Sequence, residues 1–349
     1  MSKDLKDKTL CELEQITESL GGKKYLAGYI FNFIHTKDAE EISQITPLSK
    51  TFREQLAGQG YFISRLSVLD KLVDKDRTAK YVFALGDPDV HRDRIETVLL
   101  PEGRRRTLCV STQVGCAMAC TFCATGKIKL QRNLTAGEIA DQVNTVQKDA
   151  GRISNVVYMG MGEPLANYEE VIKSIGILNH PTGKNIGVRH ITVSTCGLVP
   201  EIRRLASEDV HPRLAVSLNA PTDTLRTKLM PINAKYPIAE LLKAVRFYQG
   251  RTRQRVTFEY VLIKGLNDSA GHATMLIKLL KGLACNVNLI EHNLFPTCKY
   301  AGSSSSRIRE FAAVLDEAGL ETTTRFRMGR NIKAACGQLG ADWLGGKSK

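Results

Sequence analysis

No stretch of about 18 consecutive apolar residues occurs in this chain of 349 residues, so hydropathy predicts no membrane-spanning helix. The opening segment, MSKDLKDKTLCELEQ, is charged and lacks the apolar centre of a secretion signal. Both absences lead to the expectation of a cytoplasmic protein with no membrane partner. Internal repeats are missing, and the one low-complexity tract, Ser303 to Ser306, reads as a loop. Basic clusters at Arg104–Arg106, Arg251–Arg255 and Arg325–Arg330 are too short to form a disordered tail.

What is present is an ordinary globular composition, 43% hydrophobic and 24% charged, with length enough for one large core and a smaller appendage. Lysine and arginine number 49 against 36 aspartate and glutamate, a formal net charge of +13. That excess favours a polyanionic partner: RNA, DNA or an anionic membrane surface. Nine cysteines, an odd number with no secretion signal, argue against a structural disulfide framework. Metal ligation or thiol chemistry is the better expectation for any that cluster.

Three segments are discernible before the C-terminus. Residues 1–60 read as helical: Leu10, Leu13, Ile16 and Leu20 recur near the helical period and Gly21-Gly22 stops them. A second helix, with Tyr25 on its apolar side, is expected to run to His35, and a third to start near Pro47-Leu48-Ser49. Residues 61–105 read as a β-rich connector, with strands at 80–85 and 95–100 and a turn at Gly86-Asp87-Pro88-Asp89. From 106 to 335 strands and helices alternate. Thr135 with Glu138 and Asn167 with Glu170 suggest helix caps. The count from Thr107 is six strand–helix units and a last strand, too few for a closed eight-fold barrel. The expected fold is therefore α/β, a partial (β/α)6 barrel with a small N-terminal helical domain and a C-terminal segment over 336–349. Its ligands belong at the carboxyl ends of the strands.

The densest chemical signal is Cys116-x3-Cys120-x2-Cys123, just after the first barrel strand. Thiolates at spacings of four and three can surround one iron–sulfur cluster. A cubane has four irons, so three protein ligands leave one iron open to a small chelating molecule. A zinc site needs a fourth ligand, and no histidine lies within this loop, although a distant one remains an alternative. Met159-Gly160-Met161-Gly162-Glu163-Pro164 follows the second barrel strand. Glycines there allow close approach of backbone to a ligand, and Glu163 can accept from an ammonium group.

The cysteine motif and the partial barrel resemble the radical S-adenosylmethionine superfamily. The resemblance narrows further. CVSTQVGC from Cys109 to Cys116, MGMGEPL, LMPIN (Leu229 to Asn233) and AACGQL around Cys336 together are similar to the RlmN/Cfr family of RNA adenine methyltransferases. The likeness runs from about Arg94 to Gly340. It implies a [4Fe-4S] cluster on Cys116, Cys120 and Cys123 and two molecules of S-adenosylmethionine per turnover. The first would methylate Cys336. The second would be cleaved to a radical that takes hydrogen from the S-methyl group. The carbon radical would add to the adenine, and Cys109 would then attack Cys336 to release the product and leave a transient disulfide.

Such a route suits adenine carbon 2, which is electron-poor and carries no acidic hydrogen. Glu96 matches the family's proton acceptor. Cofactor contacts carry over to Gly162, Glu163, Ser194, Ser217, Leu218, Asn219 and Asn293; some relatives have histidine where this chain has Asn219. Implied substrates are a 23S rRNA adenosine of the peptidyl-transferase region and tRNA adenosine 37. A flavodoxin or ferredoxin would supply electrons to a monomeric enzyme. Pro164 favours the carbon-2 branch over the carbon-8 branch. Arg104–Arg106 and the N-terminal helices are candidate RNA contacts. Two alternatives stand: a radical enzyme acting on another substrate, such as a glycyl-radical activase, and a non-catalytic RNA-binding protein with a structural metal. Cys11, Cys196, Cys285 and Cys298 fit no motif and read as structural.

Overall fold

A computed structural model describes residues 2–86, 93–325 and 328–344. Asp87 to Asp89 of the expected turn, Arg327, and the side chains of Arg325 and Arg330 lie outside what is described. The N-terminal module holds α1 (Leu10–Ser19), α2 (Leu26–His35) and α3 (Lys50–Gly58). A reciprocal Thr9–Glu12 capping box starts α1, and the Ser49 hydroxyl accepts from the Phe52 N–H to start α3. Ala27, Ile30, Phe31 and Ile34 form the buried face of α2, but Tyr25 precedes the helix and is 62% exposed. Its expected place on the apolar side is therefore corrected.

Strands β1 (Ser67–Val73), β2 (Ala79–Ala84), β3 (Arg94–Glu102) and β4 (Arg105–Cys109) pair antiparallel in that order. A short hairpin follows, β5 (Gln113–Val114) with β6 (Arg132–Asn133). Then come α4 (Ala136–Ala150), β7 (Asn155–Tyr158), α5 (Tyr168–Asn179), β8 (Ile191–Thr195), α6 (Val199–Leu205) and β9 (Arg213–Ser217). The chain continues through α7 (Asp223–Leu229), α8 (Ile238–Thr252), β10 (Val256–Leu262), α9 (Ala270–Leu280), β11 (Cys285–Glu291), α10 (Ser305–Glu317) and β12 (Thr322–Arg325). Strands β4, β7, β8, β9, β10, β11 and β12 are joined in parallel in that order, and the three antiparallel strands extend the same sheet at the β4 edge. The α/β partial barrel of six strand–helix units and a last strand is thus present. Among the described residues no helix is long and apolar enough to cross a membrane.

Three local expectations change. Strand β1 was not foreseen: its residues are half-buried or exposed on a sheet edge, so no apolar alternation marks SVLDKLV. Asn167 precedes α5 but does not cap it; its amide donates to the Thr112 and Leu134 carbonyls, tying the entry of the barrel to α5. Ser303 to Ser306 is not a loop throughout, because Ser304 caps α10 and the helix begins at Ser305. The Thr135–Glu138 box forms as expected, with the Thr135 hydroxyl accepting from the Glu138 N–H.

The helical module is fastened to the barrel through charge as well as apolar contact. Lys6 Nζ lies 2.6 Å from Asp141 Oδ1 on α4, and Lys184 Nζ lies 3.0 Å from Asp38 Oδ1. The Asp7 carboxylate accepts from the Gly137 N–H. After β12 the chain returns over the barrel mouth as a strap. Its Gly329 and Asn331 N–H groups donate to Asp76 and Asp74, and its Gly340 N–H donates to Glu96.

Candidate active site

The carboxyl ends of the parallel strands open on a cavity. Cys116, Cys120 and Cys123 line it together with Gly162, Glu163, Ser194, Ser217, Asn219, Asn293 and Cys336. Residues from distant parts of the chain meet there because parallel strands all deliver their ends to one side. The loop from β5 carries the three cysteines. Its Cys116 N–H donates to the Ile128 carbonyl, and its Thr121 N–H donates to the Leu229 carbonyl at the end of α7. None of the three cysteines is in a disulfide. Burial pushes Cys116 up to about 12 and raises Cys120 and Cys123, with each other's charge adding to the rise at Cys120. Buried thiolates that repel one another are disfavoured, and a cation among them would relieve that cost. Among the described residues no three His, Cys, Asp or Glu side chains converge as a single-ion site, and the three cysteines line one cavity. Three soft thiolate donors around such a space fit an iron–sulfur cubane with one iron left over.

Beside the cysteines, Gly162 has φ +99, and a Cβ there would lie 2.6 Å from Gln113 Cβ. At Gly160 a Cβ would lie 2.6 Å from the Val110 carbonyl oxygen. These glycines also let the segment pass close to the protein's own chain between β4 and β5, which brings Glu163 to the cavity wall. Glu163 Oε1 accepts from the Leu165 N–H at 3.1 Å and Oε2 from the Cys196 N–H at 2.8 Å. Burial raises its pKa, and the amide of Cys196 opposes the rise. A buried carboxylate of this kind is matched to an ammonium group.

Ser194 at the end of β8 and Ser217 at the end of β9 both donate to Glu259 Oε2, at 2.8 and 3.4 Å. Glu259 was missed in the sequence. The signal was a carboxylate inside the apolar strand VTFEYVL, where it faces the cavity while Phe258 and Tyr260 are buried on the other side. Leu218 is wholly buried and is absent from the cavity wall; its N–H donates to the Glu259 carbonyl. Asn219 has φ +58, a left-handed conformation that asparagine tolerates. Its Oδ1 accepts from the Val261 N–H at 2.8 Å.

A second cavity opens alongside, lined by Val98, Leu100, Arg105, Cys109, Met328 and Cys336 among others. Cys109 ends β4, opposite Val98 of β3. Met159, Ile290, Asn293 and Cys336 belong to the walls of both cavities. Cys336 therefore stands where the chamber of the three cysteines meets the chamber of Cys109. The strap that carries it is held from both sides. The Asn293 amide donates to the Cys336 carbonyl, the Ala124 N–H to the Gly337 carbonyl at 2.7 Å, and the Thr125 hydroxyl to the Leu339 carbonyl at 2.8 Å. Ala124 and Thr125 directly follow Cys123.

Glu96 lines neither cavity. It is 1% exposed, with Oε1 3.1 Å from Lys80 Nζ and Oε2 accepting from the Gly340 N–H at 2.9 Å. Lys80 also reaches Asp342 at 3.1 Å. Burial raises the Glu96 pKa and the Lys80 charge opposes it. Of the basic cluster at Arg104–Arg106, Arg105 reaches the wall of the Cys109 cavity.

Known proteins match this chain along nearly its whole length. The radical SAM superfamily model covers residues 110–276, and the model of the ribosomal RNA large subunit methyltransferase N-terminal domain covers residues 3–61. A probable dual-specificity RNA methyltransferase RlmN of Thermoanaerobacter sp. (strain X514) is 44% identical over 342 residues, 98% of each chain. The protein of the same description from Alkaliphilus oremlandii is 47% identical over 338 residues, 96% of this chain and 97% of its own. Among solved structures, a radical SAM methyltransferase from Sphaerobacter thermophilus superposes with a TM-score of 0.90 at 45% identity, covering 97% of this chain and 99% of that one.

Proposed function

The chain belongs to the RlmN family of radical S-adenosylmethionine RNA methyltransferases, and from that premise we propose that it methylates carbon 2 of adenosine in RNA by way of Cys336. The family is one of enzymes that act on RNA and use S-adenosylmethionine and a [4Fe-4S] cluster. Within it, the observation that carries the finer reading is the position of Cys336, on the shared wall of the two cavities. A thiol there faces both a methyl source and a methyl acceptor.

Cys116, Cys120 and Cys123 are the residues to hold the cluster. Glu163, with Gly162, Ser194, Ser217, Leu218, Asn219 and Asn293, is assigned to S-adenosylmethionine. Leu218 contributes through its backbone rather than its side chain. When bound, these groups supply an electron, a transferable methyl and hydrogen abstraction, and two S-adenosylmethionine molecules are used per turnover. Cys336 receives the methyl carbon and presents it toward the second cavity. Cys109, on the wall of that cavity, would close the transient disulfide with Cys336 as the product carbon leaves, and the one electron left over would pass to the cluster. Glu96 takes the proton from the adenine carbon. Its carboxylate is held by Lys80 and the strap, so the strap must shift for it to do so. Arg105 on the same wall offers its charge to the RNA backbone.

Support for carbon 2 over carbon 8 comes from Pro164 in the GEPL segment. The proposed substrates are the 23S rRNA adenosine of the peptidyl-transferase region and tRNA adenosine 37, and the net charge of +13 suits both. The test is mass spectrometry of nucleosides from RNA incubated with the reconstituted enzyme, a reductant and methyl-deuterated cofactor. Labelled 2-methyladenosine is expected from the native chain and none from Cys336→Ala. An 8-methyl product, or normal turnover by Cys336→Ala, refutes the reading.

A further inference from the structure

Arg226 on α7 is the bulkiest side chain removed wholly from solvent among the described residues. Each of its three guanidinium nitrogens is hydrogen-bonded, four bonds in all. Nε donates to the Leu218 carbonyl at 3.2 Å and Nη1 to Asn233 Oδ1 at 3.0 Å. Nη2 donates to the Cys196 carbonyl at 2.6 Å and the Ser217 carbonyl at 3.1 Å. All four acceptors are neutral oxygens. These bonds leave the charge itself without a counter-ion, and among the described residues no carboxylate lies in ion-pair range of it. A buried ion without a counter-charge is strongly disfavoured, and a negative group nearby would relieve the cost.

The placement says what that is. Arg226 clamps the ends of β8 and β9 through Cys196 and Ser217, which line the same cavity as the three clustered cysteines. Cys120 packs in one apolar patch with Cys196, Leu229 and Met230, and the Thr121 N–H donates to the Leu229 carbonyl three residues beyond Arg226. Arg226 bonds Cys196, which shares that patch with Cys120, and it reaches Asp223 only through Asn233. Neither Glu163 nor Glu259, the two carboxylates on the cavity wall, bonds to it.

We propose that Arg226 is the counter-charge to the cysteine-held cluster, and that it raises the cluster's reduction potential so that an electron can enter. The inference rests on the assignment of Cys116, Cys120 and Cys123 as cluster ligands. A cubane held by three thiolates is anionic. Reduction adds one electron from a low-potential donor and no proton, so the site becomes more negative still, and a fixed positive charge beside it favours the reduced state. The clamp onto three carbonyls keeps that charge in place when the electron arrives.

The experiment uses anaerobically reconstituted holoenzyme, with iron and sulfide assayed, titrated with dithionite through mediator dyes and followed by electron paramagnetic resonance. Arg226→Gln is expected to shift the midpoint to a more negative potential, and to narrow the gap in melting temperature between holo and apo protein. Arg226→Lys keeps the charge and loses the fork, so it is expected to retain a midpoint near the native one. A Gln variant with the native midpoint and the native gap overturns the proposal. Should the Gln variant hold no cluster, the Lys variant decides: a native midpoint sustains the proposal, whereas an absent cluster or a shifted midpoint reduces Arg226 to a backbone clamp. Native protein without iron would defeat the ligand assignment itself, an outcome separate from either result.

Discussion

Replacing Lys80 by methionine would expose how the strap over the active site is held. Lys80 Nζ sits 3.1 Å from Glu96 Oε1 and 3.1 Å from Asp342 Oδ2; the Lys80 and Glu96 side chains are each 1% exposed, and Asp342 is 43% exposed. Methionine fills most of the same volume but leaves the Glu96 carboxylate dry, with the Gly340 N–H as its remaining donor. Removing one partner of a buried pair costs about 3–5 kcal/mol. Glu96→Gln is milder. Its amide oxygen still accepts from Gly340, and Lys80 keeps Asp342, so a loss of about 1–3 kcal/mol is expected. Combining the two leaves no buried charge unpaired at this point. The double variant should therefore lose less than the two single losses together, by about 0.5–3 kcal/mol of coupling. Urea denaturation of all four proteins measures this cycle. Alkylation of Cys336, followed by mass spectrometry, should speed up in Lys80→Met because the strap loses an anchor. Additive losses, or a Lys80→Met cost under about 1 kcal/mol as at an exposed pair, would refute the reasoning.

His35 is fully buried, and burial with the charges of Lys6 and Lys184 lowers its pKa to about 3. Its unfolded value is about 6.5, so the unfolded chain binds the extra proton first. Stability is then full above pH 6.5 and falls as pH drops toward 3, by up to about 1.4 kcal/mol per unit from this group. His35→Leu should flatten that decline in urea titrations run across pH 4 to 7; an unchanged slope assigns the acid sensitivity elsewhere. Gly162→Ala combines a φ of +99 with a Cβ 2.6 Å from Gln113 Cβ. About 1–3 kcal/mol of strain should weaken S-adenosylmethionine binding roughly tenfold by calorimetry, and native affinity would rule out a need for glycine there. Glu259→Ala frees the hydroxyls of Ser194 and Ser217 and should weaken the same binding about tenfold or more, with Glu259→Gln intermediate. An unaltered dissociation constant would remove Glu259 from the cofactor wall.

How much of this was readable in advance follows from the kind of signal each residue carries. The parallel units were legible because buried strands such as Val156-Val157-Tyr158 are short apolar runs between helices with a 3.6-residue period. Strand β1 was not, because an exposed edge needs no alternation. The cysteine spacing announced a thiolate site, and the glycines of MGMGEP announced a tight approach but not that the approach was to Gln113 and Val110. Glu259 and Lys80 stood in plain view as charges inside apolar strands, yet a single charge in a strand says nothing of its partner until the sheet is assembled. Arg226 went unplaced for the same reason, and Glu96, assigned by resemblance, had no visible partner. Their roles depend on Cys196, Asn233 and Gly340, which lie 30, 7 and 244 residues away in the chain. Resemblance to a family supplied the order of the motifs, and only the folded arrangement put Cys336 on a wall common to two spaces.

That shared wall divides the labour of recognition. On the function proposed above, the nucleic acid would not have to enter the compartment where the cofactor is broken, and the cofactor would not have to be shaped around a nucleobase. A single sulfur atom would carry material across. The outer compartment would then be at liberty to change its taste in RNA while the inner one stays as it is.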